Sequence, residues 1–140
     1  MRRTITMLLT VMVLALPVAQ ATAAVKTTKK KVLVVTKRFT GTAYDAGRWG
    51  PLQVRITVRK TTTITGAKRK VTRKLTAVSV PTYPNHTDRS VYINAQALPI
   101  LKAEALQAQS ARIDLVSGAS DSSQAFAASL QSAILKAKRA

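Results

Sequence analysis

The chain contains no cysteine, and this absence removes several kinds of chemistry at once. Without thiols there is no disulfide, thiolate metal site, lipid-bearing cysteine or thiol redox reaction. Histidine occurs once, at His86, and only five residues are acidic, so no metal centre is predicted. Aromatic residues make up only 4% of the chain. We therefore expect a fold that is stable through aliphatic packing.

The shortage of acidic residues leaves a strongly basic protein. Twenty-three lysines and arginines face five acids, which gives a formal net charge of +18. Such a charge favours anionic surfaces, such as membranes or cell-wall polymers. Nucleic acid is not a predicted partner, because no aromatic residue interleaves with the basic patch at residues 68–74 and base stacking would be missing.

The N-terminus has the pattern of an export signal. Arg2 and Arg3 precede an apolar run at residues 7–18, and Ala21-Thr22-Ala23 is typical of a cleavage site. We therefore predict a signal peptide at 1–24, a basic flexible tether at 25–37 and one domain at 38–140. The predicted location is extracytoplasmic, either membrane- or wall-associated or secreted. Cleavage of the segment and its retention as an anchor both stay open.

The first half of the domain shows strand patterns. Apolar and polar residues alternate strictly over 52–60, which predicts a strand with one buried face. Residues 71–80 form the predicted return strand, and the polar residues 61–70 form a long, basic hairpin tip. Residues 32–35 and 39–44 are candidates for a first strand, with Gly41 as either a bulge or a point of close approach.

The second half is helical, so the predicted fold class is α+β, an antiparallel sheet with helices packed on one face. Thr87 or Asp88 caps a first helix, which Pro99 should kink or divide. Residues 111–116 form a short strand or extended segment. The last helix runs to about residue 138. Its predicted apolar stripe consists of Phe126, Leu130 and Ile134. Asp121 with Gln124 is the predicted capping box at its N-terminus.

A turn rich in hydroxyl groups, at residues 114–123, precedes this last helix. A helix N-terminus presents unpaired N–H groups and partial positive charge, so it suits a phosphate. The same Ser-Gly-Ala-Ser-Asp-Ser-Ser sequence also makes an ordinary helix cap. A hydrolase using Ser120 and His86 is a further alternative, although no G-x-S-x-G motif is present. The residues by themselves leave these interpretations open.

The turn belongs to a wider resemblance. Ser117-Gly118-Ala119-Ser120, with Ser122-Ser123 after it, resembles the S-G-A-T-x-T-S element of the FMN-binding domain family. That family includes the flavin-carrying C subunit of sodium-pumping NADH:quinone reductases and the G subunit of Rnf complexes. The Trp49–Val54 segment resembles the family's G-P-V-Q-V segment, and residues 83–99 resemble the lead into its first helix. The resemblance covers about residues 38–138.

The resemblance implies an exported flavin electron carrier that binds FMN. A flavin transferase would attach the FMN phosphate to Ser120, where the family usually has threonine, and redox proteins at the membrane would be its partners. The implied neighbours of the phosphate and ribityl chain are Ser117, Gly118, Ala119 and Ser123. Those implied near the ring are Gly50, Leu52, Gln53 and Tyr83. The alternative is a basic exported module that binds anionic membranes or wall polymers without flavin.

Overall fold

The structure is a computed structural model that describes residues 27–140. The predicted signal peptide and the first two residues of the predicted tether lie outside the described residues. Within them, four antiparallel strands form one sheet around a long central strand, β3. The strands are β1 at Lys30–Thr40, β2 at Tyr44–Asp45, β3 at Pro51–Thr65 and β4 at Lys68–Thr82. A 3₁₀ turn at Gly47–Trp49 connects β2 to β3.

The β3–β4 hairpin differs from the predicted one in its connection. Residues 61–70 are not a long tip, because β3 continues to Thr65 and β4 begins at Lys68. The turn consists of Gly66 and Ala67, with Gly66 at φ +60° as in a type II′ turn. The cluster of threonines before it forms strand readily, since β-branched side chains fit the pleated sheet.

Strand β1 corrects the prediction of a flexible tether over 25–37 and confirms the first-strand candidate at residues 32–35. Lys30 pairs with Thr65, and pairing with β3 continues to Thr40 opposite Arg55. Residues 30–37 of the predicted tether therefore belong to the sheet. Their charge indicated a solvated tail, but the apolar run at residues 32–35 and the free edge of β3 favour a strand.

Two helices cover one face of the sheet, as the α+β prediction required. Helix α1 spans Asp88–Ala108 and begins at the capping box formed by Thr87 and Ser90. Pro99 lies inside this single helix and does not start a second one. Among residues 27–140, neither helix has both the length and the apolar character needed to span a bilayer.

Helix α2 spans Ser120–Arg139 and packs on β3. Phe126 and Leu130 are fully buried, and Ile134 is half-buried, which confirms the predicted stripe. The predicted capping box of Asp121 with Gln124 is wrong, because the N-cap is Ala119 and no side chain caps the helix. The core also takes the alternate residues of β3, Leu52 to Val58, and the inner face of α1.

Gly41 allows α2 to approach the sheet closely. A Cβ at this position would collide with the backbone carbonyl of Ser129 and lie 2.7 Å from its Oγ. The Ser129 hydroxyl in turn accepts a hydrogen bond from Val54 N at 2.8 Å. The prediction of a close approach at Gly41 is confirmed, and this contact fixes α2 along β3.

Candidate functional site

The N-terminus of α2 carries free backbone donors. Gly118 has φ +79°, and the Ala119 N–H donates to the Val116 carbonyl at 3.0 Å, which turns the chain into the helix. The first intrahelical bond runs from Ser123 N to Ala119 O. The N–H groups of Ser120 and of the two residues after it therefore lack intrahelical acceptors, and no side chain caps them.

The residues that carry these donors line a small open pocket. The pocket has a volume of about 50 Å³. One wall runs from Gly118 into the first turn of α2 as far as Ser122, and the opposite wall consists of Trp49, Ser90, Ile93 and Asn94. The helix dipole and the free N–H groups make this wall favourable for an anion.

Asn94 provides the most specific polar group of the opposite wall. Its side chain is 1% exposed, and its Nδ2 donates to the Pro84 carbonyl at 2.9 Å. Because a carbonyl can only accept, this bond fixes the orientation of the amide. Its Oδ1 is buried and has no hydrogen-bond partner among the described residues. Asn94 is therefore a residue of the pocket wall that holds a buried, unpaired acceptor.

Trp49 supplies the aromatic surface of the pocket. The 3₁₀ turn that carries it is closed by bonds from Ala46 N to Gly50 O at 2.8 Å and from Trp49 N to Ala46 O at 3.1 Å. The Arg48 guanidinium lies 4.8 Å from the centre of the Trp49 ring. This cation–π contact fixes a positive charge beside the aromatic wall.

The structure brings together only some of the residues that the sequence indicated. Gly118, Ala119 and Ser120 line the pocket, and Gly50 adjoins Trp49 in the chain. Ser117 and Ser123 are not lining residues. The Ser123 hydroxyl accepts from Val116 N at 3.0 Å and donates to Ala119 O at 2.8 Å, so it holds the turn against the helix.

Three of the residues expected near the flavin ring lie outside the pocket wall. Leu52 is fully buried in the core, and Gln53 donates from Nε2 to the Gly41 carbonyl at 2.8 Å. Tyr83 is 38% exposed and lines a neighbouring groove that shares Asn94 with the pocket. None of these three side chains is in the pocket wall.

The search for site residues in the sequence missed Trp49 and Asn94. Both lie in the segments that carry the family resemblance, and Trp49 is the only tryptophan. Asn94 could have been recognised as a polar residue one turn after Ser90 on the inner face of α1. His86 is exposed and does not line the pocket with Ser120, so the structure does not assemble the alternative hydrolase site. Within residues 27–140 no cluster of metal-binding side chains occurs.

Comparison with known proteins identifies the family. The family model of the FMN-binding domain matches residues 47–135. The chain belongs to the FMN-binding domain family. None of the curated proteins matches the chain. The matched region includes Trp49, Asn94 and the whole of the α2 N-terminus, and FMN is the cofactor that this domain indicates.

The pocket fits one end of FMN. Sites that enclose a whole ligand of this size have volumes of roughly 300–1,000 Å³, so a pocket of about 50 Å³ accepts only part of the molecule. The phosphate matches the uncapped N–H groups. On the facing wall, Asn94 holds an unpaired acceptor, Oδ1, that its neighbours enclose.

Proposed function

We propose that this protein is an exported electron carrier, with FMN attached through a phosphoester at Ser120. Its flavin-binding role follows from family membership. Attachment, export and electron transfer are the parts that we propose. When bound, FMN supplies the redox chemistry, and the protein determines its position and surroundings. The protein would act as a carrier between redox proteins at the membrane rather than as a stand-alone enzyme.

The proposal rests on one observation, which is that the Ser120 hydroxyl is exposed and not hydrogen-bonded among the described residues. Ser120 is exposed at the first position of α2, on the edge of the pocket, and its hydroxyl makes no hydrogen bond among the described residues. Ser123, by contrast, is buried with its hydroxyl fully engaged. A transferase can therefore reach the Ser120 oxygen, and the new phosphate group would face the free N–H groups of α2.

Asp121 and Arg48 act on the site in opposite ways. Asp121 is in the first turn of α2, and its carboxylate is directed toward Gly47, where a Cβ would lie 3.1 Å from it. This acid opposes an anionic group at the helix N-terminus, whereas Arg48 on the facing turn favours one. The helix dipole adds to the favourable side.

The direct test is coexpression of the full chain with a flavin transferase, followed by intact mass measurement. We expect an added mass of one FMN less one water, and yellow protein. Ser120→Ala should abolish the adduct, and Ser120→Thr should retain it. Ser117→Ala is the matched control, because Ser117 is an exposed serine on the same turn that lies outside the pocket. An adduct that survives in Ser120→Ala would show that the attachment site is wrong.

A further inference from the structure

The sheet extends well beyond the helix that covers it. At about 3.3 Å per residue, the 15 residues of β3 span about 50 Å. The 20 residues of α2 span about 30 Å at 1.5 Å per residue. The Lys60 Nζ donates to the Ala140 carbonyl at 3.1 Å, which marks where α2 ends over β3. Residues 30–37 of β1, 60–65 of β3 and 68–74 of β4, most of which extend past this end of α2, form the surface that we call the basic sheet end.

Charge on the basic sheet end has a single sign. Both of its faces carry cationic side chains, which are Lys30, Lys31, Lys37, Lys60, Lys68, Arg69, Lys70, Arg73 and Lys74. None of the five acidic residues of the chain lies in it. Arg59 and Lys74 are opposite each other across the strands, as are Lys60 and Arg73. These close pairs of like charge concentrate positive potential and favour an anionic partner.

Exposed apolar side chains lie among these cations. Val32, Leu33, Val34 and Val35 are 44–56% exposed on consecutive positions of β1, so both faces of this edge strand carry apolar surface. On the helix-bearing face, Leu33, Val35 and Phe39 line a groove of about 230 Å³, with Arg69 and Arg73 also in its wall. A soluble edge strand normally carries polar side chains, so this apolar run indicates a binding surface.

We propose that the basic sheet end docks on a bilayer that contains anionic phospholipids. An anionic polymer offers charges but no apolar phase, so it would leave the valines and leucine of β1 in water. The interface of an anionic bilayer accepts both, with cations at the headgroups and apolar side chains among the upper acyl segments. The chain also enters the sheet at Lys30, so the predicted export segment is joined to this same surface.

This inference goes beyond the flavin domain itself. The family match begins at residue 47, so β1 and its apolar run lie outside the matched region. Docking requires no flavin, which makes it testable on protein without cofactor. A chain that begins at Val25 retains all four strands, both helices and the whole core, which lies between Ala46 and Ala137. This form tests the surface without the apolar N-terminal segment.

The test compares sedimentation with two kinds of vesicle, phosphatidylcholine alone and phosphatidylcholine with one third phosphatidylglycerol. We expect binding to the anionic vesicles only, weakened by added salt. Arg69→Gln with Arg73→Gln should lower the partition coefficient roughly twenty-five-fold, since each basic side chain near such a surface contributes about fivefold. The matched control is Arg89→Gln with Arg112→Gln, which removes equal charge from exposed positions elsewhere.

A second pair of variants tests the apolar contribution. Leu33→Thr with Val35→Thr removes apolar surface and places a β-branched residue at both strand positions, and it should weaken binding at least tenfold. Val91→Thr with Ile100→Thr is the control on α1, at the similar exposures of 46% and 47%. Thermal unfolding of each variant verifies the fold.

Three results would overturn the proposal. The first is equal binding to both vesicle types, and the second is equal binding by the arginine variant and its control. The third is a combined result: the protein binds polyphosphate strongly, and the Leu33 and Val35 substitutions leave vesicle binding unchanged. That result would assign the surface to anionic polymers.

Discussion

At the scale of single residues, the site depends on polar groups that the protein itself leaves unsatisfied. A buried acceptor without a partner costs about 1–3 kcal/mol, and Asn94 Oδ1 is such an acceptor. The Pro84 carbonyl holds the Asn94 amide in the orientation that keeps Oδ1 unpaired. The Ser120 hydroxyl similarly makes no hydrogen bond within residues 27–140. Both atoms belong to lining residues of one pocket. The Ser120 hydroxyl is open to a ligand, whereas the enclosed Oδ1 would gain a partner only if the pocket wall shifts to expose it.

Substitution of Asn94 tests this account of the pocket. In a Ser120→Ala background, where no covalent adduct forms, Asn94→Ala should weaken binding of free FMN roughly tenfold, through loss of about one hydrogen bond. Riboflavin, which lacks the phosphate, should lose the same factor. Fluorescence titration measures both constants. Asn85→Ala is the control, since Asn85 is exposed in the preceding loop. Unchanged FMN affinity in Asn94→Ala would exclude Oδ1 as a ligand contact.

At the scale of secondary-structure elements, the β3–β4 hairpin contains pairs of like charge that lower its stability. The proposed docking on an anionic bilayer explains why these charges are present. Arg59 faces Lys74 directly across the strands, and Lys60 faces Arg73. Like charges at opposed positions of an antiparallel pair destabilise the sheet. The strand register fixes these pairs. A shift of one residue would turn the buried Val58 out of the core, so β3 cannot slide to separate the like charges. A hairpin optimised for stability alone would place opposite charges there.

Lys74→Glu should therefore stabilise the protein. The substitution changes the pair with Arg59 from repulsive to attractive, and we expect a gain of about 0.5–1 kcal/mol in the free energy of unfolding at low salt. Urea denaturation measures the gain, which should shrink as salt is added. Lys68→Glu is the matched control, because Lys68 is opposite the uncharged Thr65. Equal gains in both variants would attribute the effect to net charge and not to the cross-strand pair.

At the scale of the whole molecule, α2 separates two different surfaces. Its first residue lies at the pocket, and its last turn lies beside the basic sheet end, about 30 Å away. The close contact of Gly41 with Ser129 fixes the helix along β3. Docking of the basic sheet end on a membrane would thus hold the flavin pocket at the far end of the domain.

The two ends should function independently. Ser120→Ala should abolish the flavin adduct and leave vesicle binding of the Val25–Ala140 chain unchanged. Arg69→Gln with Arg73→Gln should weaken vesicle binding and leave the adduct intact. Mass measurement and vesicle sedimentation on the same set of variants provide the comparison. Loss of both properties in either variant would contradict the separation of the two surfaces.

Much of the fold could be predicted from local patterns in the sequence. The alternation of Leu52 to Val58 determines which face of β3 is buried, and the spacing of Phe126 and Leu130 determines the inner face of α2. Thr87 was correctly predicted as a possible cap because its chemistry is local. The ends of the hairpin were not predictable in this way, since a run of threonines and lysines suits both a loop and an exposed strand.

The sequence by itself determined the fold class, the basic charge and the hydroxyl-rich turn before the last helix, because each depends on residue type and short-range spacing. Only the tertiary structure decided what meets that turn. Trp49 and Asn94 reach the pocket from distant parts of the chain, through the 3₁₀ turn and helix α1. The tertiary structure also showed that α2 is too short to cover the whole of β3. Such a difference in length matters only where the two elements pack together, so neither segment of sequence reveals it alone.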